Sequence, residues 1–123
     1  MVTVPSFILR RLYVKGSLQS TSRGMEFQLL NKLGSGYAKR VLPLSLDGDE
    51  IPMEQCAFYV NGAKAPFAEV NAENTFTIAL NQVTTVAAEE VTLTGGPHKI
   101  GMAFEVPGLG VLRFDFVDTP SNG

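Results

Sequence analysis

Between His98 and Val117 the chain reads HKIGMAFEVPGLGVLRFDFV, and no other stretch narrows its possible folds as far. Successive side chains point to opposite faces of a strand, so Ile100, Met102, Phe104 and Val106 share one face while Lys99, Gly101, Ala103 and Glu105 share the other. Beyond the turn Pro107-Gly108-Leu109-Gly110 the alternation resumes, with Leu112, Phe114 and Phe116 opposed to Val111, Arg113, Asp115 and Val117. The spacing predicts a β-hairpin with one heavily apolar face. No motif of catalytic chemistry lies on it.

The remainder reads as short strands between turns. Ser6 to Lys15 alternates, with Ile8, Leu12 and Val14 beside Arg10 on one face and Phe7, Leu9 and Tyr13 beside Arg11 on the other. That pattern predicts a strand covered on both sides, its arginines reaching to an edge or to a partner. Gly16 to Gly24 reads as a loop, and Met25 to about Leu33 as a second strand, the two runs forming a hairpin. Leu42, Leu44 and Leu46 make a stripe at strand spacing, with Pro43 marking an edge. Cys56 to Val60 is a strand closed by Asn61-Gly62, a tight-turn signal. Ala65 to Asn74 has room for one helical turn. Phe76, Ile78 and Leu80 share a face of the next strand, and Thr84 to Thr94 continues as a strand broken near Ala87-Ala88-Glu89-Glu90. After Val117 nothing apolar anchors the tail, which is expected to fray from Asp118 to Gly123. The sum, about eight short strands at hairpin spacing with no sustained helical period, predicts an all-β antiparallel β-sandwich forming a single domain over residues 1–123.

Two segments invite a ligand reading that their spacing refuses. Gly34-Ser35-Gly36 lacks the Lys-Ser/Thr and the following helix of a phosphate loop. Asp47-Gly48-Asp49-Glu50 lacks the calcium-loop spacing and reads as a hairpin turn.

Composition bounds the rest. At 123 residues, 45% of them hydrophobic, the chain suffices for one core. A net charge of −2, with Arg10-Arg11 and Lys39-Arg40 as the only dense cationic spots, argues against nucleic acid. A lone cysteine, Cys56, fits a buried apolar role and a reducing compartment. Arg10-Arg11 interrupts Phe7-Ile8-Leu9 before a signal peptide could form, and no run approaches the roughly 20 apolar residues of a membrane span, so a cytoplasmic, soluble protein is expected.

For chemistry the residues offer little. His98 is the only histidine, so no two-histidine metal site exists within the chain. It reads first as a solvent-facing turn residue, and otherwise as one pocket contact or general base. Asp49, Glu50, Glu54, Glu69 and Glu73 supply carboxylates whose convergence spacing cannot settle. There is no tryptophan for a sugar platform.

Val4-Pro5-Ser6-Phe7-Ile8-Leu9-Arg10-Arg11-Leu12-Tyr13-Val14-Lys15-Gly16-Ser17-Leu18, Leu46 to Pro52, Gly96 to Gly101 and Glu105 to Gly110 together resemble the small β subunit of bacterial C-glycoside deglycosidases. The resemblance implies a helper subunit of a carbon–carbon lyase that cleaves 3-keto C-glycosides of aromatic or flavonoid aglycones by metal-assisted elimination. It implies a larger TIM-barrel-like α subunit as partner, carrying a divalent metal, manganese, and the acid–base residues, in a hetero-oligomer of αβ units. No catalytic, cofactor-binding or metal-binding residue is assigned to this chain. The expected interface is Phe7, Arg10, Arg11 and Tyr13, with His98 as a pocket contact. Two alternatives stand beside it: a stand-alone β-sandwich that binds a sugar or flavonoid, and a β subunit serving an isomerase- or epimerase-like barrel.

Overall fold

A computed structural model describes residues 4–121. Among them the strands, in chain order, are β1 (Gln19–Ser20), β2 (Gly24–Leu30), β3 (Gly36–Ala38), β4 (Arg40–Val41), β5 (Ser45–Leu46), β6 (Asp49–Glu50), β7 (Cys56–Val60), β8 (Ala63–Pro66), β9 (Phe76–Ile78), β10 (Val83–Glu89), β11 (His98–Val106) and β12 (Gly110–Asp118). One sheet runs β1-β2-β10-β7-β8, a second runs β12-β11-β5-β6 with β4 also on β11, and β3 pairs with β9. Every pairing is antiparallel. The molecule is an all-β antiparallel sandwich.

The β11–β12 hairpin forms in the register its alternation predicts, with Ile100 opposite Phe116, Met102 opposite Phe114 and Phe104 opposite Leu112. All six side chains are buried. They meet Met25, Phe27 and Val86 from the facing sheet, and the Phe27 and Phe116 rings cross edge to face at 5.1 Å. Each such side chain, removed from water, contributes about 1.5–3 kcal/mol. Asp47 and Gly48 turn β5 into β6 with φ of 53° and 93°, and Asn61 and Gly62 turn β7 into β8 with φ of 52° and 84°. Residues tolerant of left-handed backbone stand where both tight turns need them.

The main correction lies at the N-terminus. Ser6 to Lys15 is not a strand: Ser6–Leu9 is a helical turn, α1, continued by a 3-10 turn at Arg10–Leu12. The Pro5 carbonyl accepts from the Ile8 and Leu9 amides at 3.0 and 3.1 Å. Leu9 and Leu12, three apart, are the two residues this segment buries, and a short apolar run carries that spacing as readily as an alternation. The segment lies along β12, the outer strand of its sheet, where the Arg10 guanidinium donates to the Asp115 main-chain carbonyl at 2.6 Å. An edge that would otherwise be open to pairing is thereby covered.

Other differences are smaller. The hairpin partner of β2 is β1, inside the stretch read as loop. The leucine stripe is broken, because the buried residues are Val41 and Leu44 and the chain passes between them from β4 to β5. The strand expected from Thr84 to Thr94 ends at Glu89 and does not resume before β11; Glu90, with φ of 59°, turns away and its amide donates to the Arg23 carbonyl at 2.7 Å. The tail expected to fray is tied down as far as Ser121, which donates to the Leu18 carbonyl at 2.9 Å. Asn122 and Gly123 lie outside the described residues.

Candidate functional site

The structure leaves Phe7, Arg10 and Arg11 exposed on the N-terminal helical segment and half-buries Tyr13. Phe7 is 63% exposed and Arg11 is exposed beside it on the helical segment. Arg10 is committed to Asp115, through the carbonyl bond above and a 3.6 Å ion pair. Tyr13 turns inward, stacked on Phe116 with centroids 3.6 Å apart, and its hydroxyl donates to Asp118 at 2.7 Å.

His98 is neither a solvent-facing turn residue nor poised as a base. It is 8% exposed. Nδ1 lies 2.7 Å from Asp47 Oδ2 and Nε2 lies 2.8 Å from the Thr94 carbonyl oxygen. The Asp47 carboxylate and the Thr94 carbonyl are both acceptors, an arrangement that favours the doubly protonated ring; the Thr94 hydroxyl also lies 3.4 Å from Nε2. The Asp47 hydrogen bond, followed by that to Thr94, raises its pKa above the ordinary histidine value. Asp47 is lowered, first by His98 and then by the Lys99 amide, which donates to Oδ1 at 2.9 Å. The arrangement clamps the β5–β6 turn to the start of β11.

Cys56 is buried, and desolvation raises its thiol pKa, which disfavours the thiolate needed for nucleophilic attack. Among the described residues, no three His, Cys, Asp or Glu side chains gather as a metal-holding group.

What sequence reasoning missed is an apolar end of the sandwich. Leu33, Tyr37, Leu80 and Val83 are each 40–51% exposed: Leu33 follows β2, Tyr37 lies within β3, Leu80 follows β9 and Val83 opens β10. The loops between these strands share one buried polar hub. Asn31, 3% exposed, places Nδ2 2.8, 3.0 and 3.2 Å from the carbonyls of Gly34, Ile78 and Ala79. Its Oδ1 accepts from the Leu33 and Gly34 amides at 3.0 and 3.3 Å. Ser35 Oγ accepts from the Leu80 amide at 2.9 Å. An apolar groove of about 240 Å³ opens alongside, lined by Leu33, Tyr37, Ile78, Val106 and Leu109 among others. The one sequence signal was Asn31 itself, a polar residue at the end of an apolar strand and three before the glycine pair.

Fold and site define an antiparallel β-sandwich domain with a rigidly held apolar end. The family model for the hydroxymethylglutaryl-CoA reductase N-terminal domain matches residues 8–120, and the chain belongs to that family. No curated protein matches it. The family match overturns the likeness to the C-glycoside deglycosidase β subunit, and with it the carbon–carbon lyase function and its sugar- or flavonoid-binding and isomerase-type alternatives. The residues behind that likeness are helical-turn and hairpin-turn patterns, which many antiparallel sandwiches share. No helix among the described residues is long and apolar enough to cross a membrane.

Proposed function

We propose that this chain is a non-catalytic contact domain that works docked, through its apolar end, on a larger catalytic polypeptide. The observation that carries the reading is the set Leu33, Tyr37, Leu80 and Val83, half-exposed, with the Asn31 side chain holding the backbone at Leu33, Gly34, Ile78 and Ala79 beside them. Leu33 and Tyr37 line the apolar groove, exposed apolar surface on a folded domain marks a contact, and a backbone already held in place loses little further entropy on binding. The single histidine is held in two hydrogen bonds and the thiol is buried, which supports a contact role over nucleophilic chemistry at those two residues.

The family's description makes a reductase of hydroxymethylglutaryl-CoA the first partner to test. A divalent metal, where such an assembly uses one, belongs in this reading to the partner. The test is to mix the purified chain with the reductase of its own host and follow complex formation by native mass spectrometry. A complex lost on Leu80→Asp supports the reading, and two species that never associate contradict it for that partner.

A further inference from the structure

The outer face of the second sheet carries a trough that the docking reading does not use. Its floor is Gly101 and Ala103 of β11. Gly101 stands opposite Asp115 on one side and Ser45 on the other, and Ala103 stands opposite Arg113. Ser45 in turn faces Glu50. The outward side chains of β12 therefore form one wall and the β5–β6 hairpin the other, with two of the smallest residues between them. The volume is about 390 Å³, within the range of roughly 300–1,000 Å³ usual for small-ligand sites.

Its charges are unequally matched. Asp115 has Arg10 at 3.6 Å and Lys99 at 3.8 Å. Arg113, which also lines the trough, has no carboxylate within ion-pair distance among the described residues. Glu50 stands on the opposite wall, and Ser6 and Ser45 contribute hydroxyls. An unmatched guanidinium offers a planar fork of donors suited to two oxygens of one anion. Of the two carboxylates that line the trough, Asp115 is offset by Arg10 and Lys99, which leaves Glu50 as the main group that repels such an anion.

We propose that this trough binds a small oxyanion, a carboxylate or a phosphate, with Arg113 as the principal contact and Lys99 assisting. The proposal is independent of the docked partner. It is tested on the full chain by following amide resonances as sodium phosphate or sodium lactate is added at constant ionic strength. Saturable shifts confined to Gly101, Ala103, Arg113 and Asp115 are expected from at least one of the two, and which one saturates identifies the anion class. Arg113→Gln is expected to weaken that binding at least fivefold, Glu50→Gln to tighten it several-fold, and Lys64→Gln on β8 to leave it unchanged. Non-saturating shifts spread over the surface would overturn the proposal. So would a Kd that Arg113→Gln does not move in a variant whose spectrum is otherwise that of the parent.

Discussion

The Tyr13 hydroxyl donates to Asp118 Oδ2 at 2.7 Å, joining residues 105 apart in sequence. The same carboxylate oxygen accepts from the Gly16 amide at 2.8 Å, and the Tyr13 oxygen accepts from the Leu18 amide at 3.2 Å. One phenol thus fastens the N-terminal segment to the last strand while its ring packs on Phe116. Tyr13→Phe keeps the ring and leaves Asp118 short of a donor, so a loss of about 1–2 kcal/mol is expected in urea unfolding. Burial and then the Asp118 carboxylate push the phenol up to about 12, whereas an unfolded tyrosine ionises near 10. The latch's contribution is therefore whole below about pH 10 and declines as pH rises towards 12. Absorbance of phenolate against pH should show one tyrosine titrating late, and Tyr13→Phe should remove it.

The His98 clamp behaves in the same sense lower on the pH scale. Its folded pKa is raised, so its contribution is complete below the ordinary histidine value of about 6.5 and is lost as pH rises through the raised value. Asp47 is lowered, so its contribution is present above the ordinary carboxylate range and is lost as pH falls through the lowered value. Urea midpoints should fall on the alkaline side of 6.5 in the parent. His98→Gln should be less stable at pH 6 and flat across that window.

Asn31 predicts a coupled loosening. Asn31→Ala leaves the carbonyls of Gly34, Ile78 and Ala79 without their shared donor, at a cost of about 2–3 kcal/mol. Hydrogen exchange should accelerate at Leu33, Gly34 and Leu80 before it changes in β11. Equal acceleration everywhere would mean that Asn31 supports the core and not the loops.

Two glycines should respond differently to the same methyl group. A Cβ at Gly101 would collide with Ser45 Oγ, the end of a side chain, whereas a Cβ at Gly24 would collide with the Ala88 main-chain carbonyl. Gly101→Ala should cost about 1–2 kcal/mol and be largely rescued by Ser45→Ala, since overpacking is relieved when the offending atom is removed. Gly24→Ala has no side chain to remove and should cost more than Gly101→Ala.

Hairpins were the legible part of this sequence. Alternation over nine residues in β11 and again in β12, with Asp47-Gly48 and Asn61-Gly62 at the turns, specifies strands, register and inward faces locally. Ser6 to Leu12 was not legible, because Leu9 and Leu12 satisfy a helical turn as well as a two-sided strand, and only the uncovered edge of β12 decides between them. The apolar end was hidden for a related reason. Leu80 looks like a core residue continuing Phe76 and Ile78, yet β9 stops at Ile78 and Leu80 ends 51% exposed. His98 was readable as a lone histidine, but its Asp47 partner, 51 residues away, comes only through the fold.

The docking claim is tested most directly by recovering the tagged chain from its own host under mild conditions, in parallel with Leu80→Asp and Tyr37→Asp, and weighing each intact complex by native mass spectrometry. Expected on the parent chain is a near-stoichiometric larger polypeptide, absent from both variants, whose melting temperatures match the parent's. A parent chain that elutes alone, or a partner retained equally by all three, would contradict it.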